Sequence, residues 1–177
     1  MTQQYTMQYR SPLGMLTLTG TCDTITGLWF ENQKYFGSTL NAQAVENQTP
    51  AFHLASAWLD QYFHGEYPMF SLPLTPSGSL FQQNVWNILR QIPYGTLTTY
   101  GTIAKQLQKQ TGKRVSAQAV GGAVGHNPIS ILIPCHRVVG ATGNLTGYAA
   151  GIETKIQLLR LEGISMDHFF RPDKSIL

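Results

Sequence analysis

One short segment of the chain contains the residue types of a nucleophilic site. Within residues 127–140 an apolar run leads into Cys135, His136 and Arg137. A cysteine acts as a nucleophile where a nearby base or positive charge favours its thiolate. Adjacent side chains usually point apart, so proton transfer from Cys135 to His136 would need a bridging water. A buried cysteine is also commonly a small apolar side chain, and the residue types alone leave both interpretations open.

Two short helices are predicted upstream of this segment. Thr99 would cap a helix over 100–108, Gly112 would break the chain, and Ser116 would cap a second helix over 117–126. Such a pair resembles a helix-turn-helix, although many small helical domains share the pattern. The second helix contains three glycines, and each costs about 1 kcal/mol relative to alanine. Close approach of another surface would explain them, and DNA or a neighbouring helix would each provide it.

The remaining pattern predicts a mixed α and β chain in two parts. Alternating residues and turn signals predict strands within residues 4–31, and the polar stretch 32–50 predicts a surface loop. Apolar residues recur at helical spacing over 51–64 and over 80–92. We therefore predict an N-terminal α/β domain over 1–70, a linker over 71–79 and a C-terminal domain over 80–177.

Charge is distributed unevenly along the chain. Residues 67–152 contain six basic and no acidic residues, whereas residues 1–66 contain five acidic and two basic ones. A basic segment without carboxylates favours a polyanionic partner, and solvated lysines on a neutral surface are the alternative. The chain has no apolar run long enough for a membrane span and no apolar signal-peptide core, which predicts a cytoplasmic protein. Cys22 and Cys135 are then expected to be free thiols.

A longer match to known sequences surrounds the cysteine. The string Pro134-Cys135-His136-Arg137-Val138 resembles the active-site signature of the O6-alkylguanine-DNA alkyltransferases, the methylated-DNA–protein-cysteine methyltransferases. The resemblance covers about residues 79–163, and residues 1–70 match loosely. It implies an α+β fold. A small antiparallel ribonuclease-H-like sheet with a helix would be followed by a helical, winged-helix-like domain that contains the helix-turn-helix.

The resemblance implies direct-reversal DNA repair in a single turnover. The alkyl group of O6-alkylguanine, or of O4-alkylthymine, would pass from a flipped-out nucleotide to Cys135. No cofactor would take part. Some relatives hold zinc, but Cys22 has no companion cysteine here, so no metal is expected. The protein would bind duplex DNA as a monomer. It would bind through the minor groove, because a helix of small residues fits there closely. Extrusion of the base makes its O6 atom accessible.

The resemblance also implies a role for each residue of the site. His136 would take the proton of Cys135 through a water, and Glu162 would orient His136 and stabilise its charge. Asn127 would be a hinge between the recognition helix and the active-site loop. Tyr148 would donate a hydrogen bond to guanine as O6 leaves. The substrate pocket would be formed by Pro134, Val138, Tyr148 and Ala149.

Contacts with DNA are expected from the second short helix and its surroundings. Tyr100 would crowd the phosphate 3′ to the lesion, and Arg137 is expected to pair within the protein. Many family members carry an arginine at position 118 that fills the gap left by the flipped base, whereas this chain has Gln118. Its amide would bond the orphaned cytosine, or Arg114 would share the task. The expected DNA contacts are Tyr100, Arg114, Ser116, Gln118, Ala119 and Gly122.

Two other function classes are consistent with parts of the pattern. One is a DNA-binding module without chemistry, similar to the alkyltransferase-like proteins, and the presence of Cys135 argues against it. The other is a cysteine hydrolase that uses Cys135, His136 and an asparagine. Hydrolases rarely place cysteine and histidine side by side, and the chain lacks their local signatures.

Overall fold

The computed structural model describes residues 2–171, which form two compact units. The first unit contains the described residues up to Gly78 together with Pro128–Leu132. The second contains Ser79–Asn127 and the described residues from Ile133 onward. The chain therefore returns to the first unit for five residues just before Cys135. None of the helices within residues 2–171 is long and apolar enough to cross a bilayer.

The first unit is a small sheet with one helix. Strands β1 (Tyr5–Ser11), β2 (Gly14–Gly20) and β3 (Ile25–Phe30) pair antiparallel, and β4 (Val45–Glu46) joins β1 in parallel. The order across the sheet is β3-β2-β1-β4. Helix α1 (Pro50–Phe63) begins after Thr49, whose side chain accepts a hydrogen bond from the amide of Phe52. The apolar side of α1 closes the core of this unit.

Two segments of the first unit differ from their predictions. Residues 32–50 are predicted as a loop, but the short strand β4 lies within them and pairs with the edge of β1. Part of the predicted linker over 71–79 pairs with β3, because Ile25 exchanges backbone hydrogen bonds with Pro73 and Thr75. Both pairings use backbone groups of residues without an alternating pattern, so side-chain periodicity does not reveal them.

The second unit is mainly helical. Its helices are α2 (Leu80–Leu89), α3 (Tyr100–Thr111), α4 (Ala117–Gly125) and α5 (Ile152–Leu161). A 3-10 turn covers Cys135–Arg137 and leads directly into β6 (Val138–Val139), which pairs in parallel with β5 (Thr98–Thr99). The turn that contains the cysteine is therefore connected through β6 to β5, the strand that precedes α3.

Helix boundaries in the second unit differ from the predicted ones by one to three residues. The helix predicted over 80–92 ends at Leu89, and the helix predicted over 117–126 ends at Gly125. The helix predicted over 100–108 continues to Thr111. Its last turn is polar and exposed, so it adds nothing to the apolar pattern. The helix ends where Gly112 adopts a left-handed conformation with φ of 69°.

Helices α3 and α4 form the helix-turn-helix. Thr99 and Ser116 each cap a helix, since their hydroxyls accept hydrogen bonds from the amides of Thr102 and Ala119 at 3.1 Å. Helix α4 packs against α2 through its buried residues, and the indole of Trp86 donates to the carbonyl of Ala123 at 2.9 Å. This packing buries one side of α4 and leaves the opposite side exposed.

Candidate active site

Cys135 is the first residue of the 3-10 turn and is only 5% exposed. Its amide donates to the carbonyl of Ile133 at 2.8 Å, and the side chain of Asn127 donates to the same carbonyl at 2.8 Å. Burial raises the pKa of the Cys135 thiol, and this rise is only partly offset by hydrogen bonds from Asn127 and Tyr148 and by the charge of Lys155. The thiol therefore needs a base in order to ionise near neutral pH.

His136 is the base that lies next to Cys135 in the chain. It is completely buried, and its Nε2 lies 2.7 Å from Oε1 of Glu162. Burial lowers the pKa of His136, and Glu162 opposes this effect without cancelling it, so the ring is neutral near neutral pH. A neutral imidazole that donates from Nε2 to a carboxylate has Nδ1 as its proton acceptor. We infer this tautomer from the hydrogen bond to Glu162.

Glu162 directly follows α5 and uses both carboxylate oxygens. Oε1 also accepts from Nη2 of Arg137 at 2.9 Å, while Oε2 accepts from Nε of Arg137 at 2.8 Å and from the amide of Gly95 at 3.1 Å. Burial raises the pKa of Glu162, but hydrogen bonds from His136 and Arg137 outweigh burial and lower it to about 2. Glu162 therefore remains ionised throughout the physiological pH range.

Arg137 pairs within the protein, as predicted. In addition to Glu162 it binds the carbonyl of Ile92 at 2.7 Å, and its guanidinium lies over the ring of Tyr94 at 5.7 Å. It is buried, and it therefore contributes nothing to the exposed basic surface that the charge distribution suggests. The exposed basic residues of the acid-free segment are Arg90, Lys105, Lys109, Lys113 and Arg114.

Lys155 is a charged residue of the site that the sequence analysis does not identify. It lies on α5 and is completely buried, and its Nζ donates to the carbonyls of Val138 at 2.6 Å and Leu145 at 2.8 Å. Burial lowers the pKa of Lys155 to about 8, and a negative charge on Cys135 acts in the opposite direction. Its position on the same helical stripe as Ile156 and Leu159 is the signal that could have marked it as buried.

The remaining pocket residues lie close to the cysteine in sequence or in space. Pro134 and Val138 flank the 3-10 turn and are buried. Tyr148 is half-buried, and its side chain is one of the groups that lower the pKa of the Cys135 thiol. Ala149 follows Tyr148 and is half-buried. The structure thus brings Asn127, Tyr148 and Lys155 to Cys135, and Glu162 to His136.

The exposed side of α4 carries the residues that are expected to contact DNA. Its exposed residues, together with the turn before it, include Arg114, Ser116, Gln118, Ala119 and Gly122. A side chain at Gly122 would meet nothing within 4 Å, so this side of the helix is open. A side chain at Gly121 would instead meet the ring of Tyr100 at 3.8 Å. The small residues of α4 therefore serve internal packing on one side and leave an open surface on the other.

Two further observations concern other kinds of chemistry. Cys22 and Cys135 are both free thiols, and Cys22 is exposed. Within residues 2–171 no group of three or more His, Cys, Asp and Glu side chains is arranged to hold a metal ion.

Comparison with known proteins places both parts of the chain in one family. The DNA-binding domain of 6-O-methylguanine DNA methyltransferase matches residues 80–164, and the ribonuclease-like domain matches residues 5–76. The methylated-DNA–protein-cysteine methyltransferase of Haemophilus influenzae is 42% identical over 93% of this chain and 89% of its own length.

Solved structures agree with the sequence comparisons. The crystal structure of Mycobacterium tuberculosis O6-methylguanine methyltransferase superposes with a TM-score of 0.78 at 43% identity, over 90% of this chain and 93% of its own. The structure of M. tuberculosis OGT in complex with DNA gives a TM-score of 0.76 at 42% identity, with 90% of this chain and 92% of that chain covered. Since these matches extend over most of the sequence, the chain belongs to the 6-O-methylguanine DNA methyltransferase family.

Proposed function

We propose that this chain repairs alkylated DNA by moving the alkyl group from O6 of guanine, or O4 of thymine, onto Cys135. The observation that carries the proposal is the buried Glu162–His136 pair, at 2.7 Å, directly beside a buried cysteine. Relatives across most of the chain length are named methylated-DNA–protein-cysteine methyltransferases, which supports the same reaction.

Ionisation of Cys135 is the first requirement of this reaction. Because burial raises the pKa of the thiol, the thiolate forms when its proton passes through a water to Nδ1 of His136. Glu162 stays ionised and stabilises the imidazolium that results. Lys155 and the hydrogen bonds from Asn127 and Tyr148 stabilise the negative charge on sulfur.

The chemical step is a displacement at the alkyl carbon. The thiolate forms the new S–C bond while the C–O6 bond breaks. The electron pair of the C–O6 bond goes to O6 of the guanine. Tyr148 donates a hydrogen bond to O6 as this charge develops. The guanine anion becomes neutral by taking up one proton, which balances the proton that Cys135 gave to His136. The product is S-alkylcysteine, whose thioether is not hydrolysed by the relay, and each protein molecule therefore acts once.

Access to O6 requires that the nucleotide leave the base stack. We propose that α4 enters the minor groove with its open side, and that Gln118 occupies the space of the extruded base. Arg114 and Ser116 contact phosphates, Ala119 and Gly122 allow close approach, and Tyr100 helps to rotate the nucleotide. The complex of M. tuberculosis OGT with DNA shows that a relative of this chain binds DNA.

This proposal assigns the functional side chains to one of the two units. All residues of the proton relay and the proposed DNA contacts lie in the second unit. We therefore assign DNA binding and alkyl transfer to the C-terminal domain, predicted over 80–177, acting as a monomer. The N-terminal α/β domain over 1–70 and the linker over 71–79 contribute none of these side chains.

The two cysteines provide a matched test of the nucleophile. Purified protein is mixed with a duplex that contains one O6-[³H]methylguanine, and label that becomes bound to protein is counted. Wild type and Cys22→Ser are expected to take up label equally, whereas Cys135→Ser takes up none and still binds the duplex. Loss of uptake in Cys22→Ser with full uptake in Cys135→Ser would overturn the assignment.

A further inference from the structure

Thr146 has an unusual backbone conformation close to the proposed site. Its φ is 49°, in the left-handed region that β-branched residues rarely adopt. It lies two residues before Tyr148, in the segment between β6 and α5, and it is half-buried. Its amide is held by Oδ1 of Asn144 at 2.9 Å. The local structure therefore fixes the direction in which the Thr146 side chain points.

The hydroxyl of Thr146 connects two parts of the second unit. Its Oγ1 donates to the carbonyl of Leu145 at 2.8 Å and lies 3.0 Å from the hydroxyl of Tyr100. A threonine hydroxyl has one proton. When that proton is directed to Leu145 O, the Tyr100 hydroxyl is the donor to Thr146.

The carbonyl of Leu145 links these two hydroxyls to the backbone near Cys135. Leu145 O also accepts a hydrogen bond from Nζ of Lys155 at 2.8 Å, and Lys155 donates in turn to Val138 O at 2.6 Å. A chain of hydrogen bonds therefore joins Tyr100, at the start of α3, to the strand that follows Cys135.

We propose that Thr146 is a positioning residue that holds Tyr100 in the orientation needed to act on duplex DNA. The inference rests on the proposed function, in which Tyr100 helps to rotate the damaged nucleotide. The Tyr100 hydroxyl is held by Thr146, and the ring lies near α4, where a Cβ added at Gly121 would come within 3.8 Å of it. A side chain that is held at its hydroxyl has fewer accessible rotamers, which is what a precisely placed contact requires.

Substitutions at Thr146 separate this role from a general structural one. Thr146→Val removes the hydroxyl and keeps the shape, whereas Thr146→Ser keeps the hydroxyl and serves as the matched control. Loss of one hydrogen bond that orders the site is expected to slow repair of an O6-methylguanine duplex about tenfold in Thr146→Val. Thr146→Ser stays within about twofold of wild type. Reaction with free O6-benzylguanine, which needs no nucleotide rotation, changes less than about twofold in both variants.

A double-mutant cycle tests the link to Tyr100 directly. Tyr100→Phe and Thr146→Val are each expected to slow duplex repair, and the double variant is expected to be no slower than the slower single variant. Additive effects, unchanged duplex repair in Thr146→Val, or equal slowing of both substrates would overturn the inference. If Thr146→Val does not fold, Thr146→Gly removes the hydroxyl with a residue that adopts positive φ freely, and the same outcomes apply.

Failure of the inference is distinguishable from failure of the proposed function. If wild type accepts no alkyl group from either substrate, the proposed function is wrong. If wild type reacts with both substrates and Thr146→Val repairs the duplex normally, only the role of Thr146 is wrong.

Discussion

Glu162 determines the electrostatics of the site because its carboxylate binds two side chains and a backbone amide at once. Its Oε1 receives hydrogen bonds from both His136 and Arg137, and Arg137 and Gly95 share its Oε2. The arginine neutralises the carboxylate and fixes its plane, which in turn fixes the histidine ring. A buried carboxylate with only the histidine as partner would have a higher pKa and would orient the ring less well.

The relay predicts a specific dependence of the transfer rate on pH. His136→Ala and Glu162→Gln should both slow alkyl transfer near neutral pH, because burial raises the pKa of the Cys135 thiol. The first variant loses the base, and the second loses the carboxylate that supports the base. Direct ionisation increases the thiolate fraction about tenfold for each pH unit below the thiol pKa. Both variants should therefore recover part of their activity as pH rises, measured as single-turnover rates.

Glu153 is an exposed residue of α5, the helix that Glu162 follows, and it provides the control for this experiment. Glu153→Gln changes a surface carboxylate that lies outside the relay, so its rate profile should match that of wild type. Wild-type rates at every pH in His136→Ala and Glu162→Gln would show that no such relay operates.

Glu162 also predicts how stability changes in acid. A glutamate whose pKa is lowered by folding, here from 4.5 to about 2, adds stability above pH 4.5 that is lost as pH falls toward 2. The size of the shift corresponds to about 3 kcal/mol. Urea unfolding of wild type should therefore show a steep loss of stability over this range. Glu162→Gln should be less stable at neutral pH and should lose less on acidification, and an unchanged slope would contradict the pairing.

The residues of the site differ in how far the sequence could identify them. Cys135 and His136 are adjacent and belong to a recognisable local string, so the sequence identifies the proposed nucleophile and its proposed base. Glu162 is 26 residues from His136, and only the resemblance to a family connects the two. Lys155 was missed because a lysine in an amphipathic helix is normally solvated. Arg137 was expected to pair internally, but its partner depends on tertiary contacts that no local pattern encodes.

At the scale of elements, α4 has a buried side and an exposed side, and its small residues are compatible with both. Its buried residues pack against α2 and α3, and its other side presents small residues to solvent. The glycine-rich sequence predicts close approach of another surface, which stays a prediction for DNA; the structure separates Gly121, which faces Tyr100, from the open Gly122. The short pairing between β5 and β6 was not predictable, since two-residue strands leave no periodic signal.

Gln118 provides the prediction that belongs to this helix. It is exposed in the first turn of α4, where an arginine would add a charge attracted to phosphates. Gln118→Arg should tighten duplex binding and increase the slope of log K against log salt by about one unit. Gln118→Ala should weaken duplex repair and leave the reaction with free O6-benzylguanine nearly unchanged.

Binding titrations at several salt concentrations measure the first effect, and rates with the two substrates measure the second. Ala117→Ser, at the adjacent exposed position, is the control for a change at the helix start. Equal loss of both reactions in Gln118→Ala would place the residue in support of the pocket and would remove it from the DNA surface.

At the scale of the whole molecule, the path of the chain just before Cys135 is the main departure from a simple two-domain order. Residues 128–132 pair with the first unit, where Leu28 exchanges backbone hydrogen bonds with Pro128 and Ser130. The fold class was predictable from the order of strands and helices. The return of residues 128–132 to the first unit was not predictable, because their sequence shows only an apolar run that precedes the cysteine.

The stoichiometry of transfer tests directly whether Cys135 accepts one alkyl group in a single turnover. Wild-type protein is incubated with an excess of O6-methylguanine duplex, and the intact protein mass is followed until it no longer changes. Because the thioether is not cleaved, we expect one methyl group per protein, located on the peptide that contains Cys135, and repaired DNA equal in amount to protein. Continued repair beyond one lesion per protein, or a methyl group on any other residue, would contradict it.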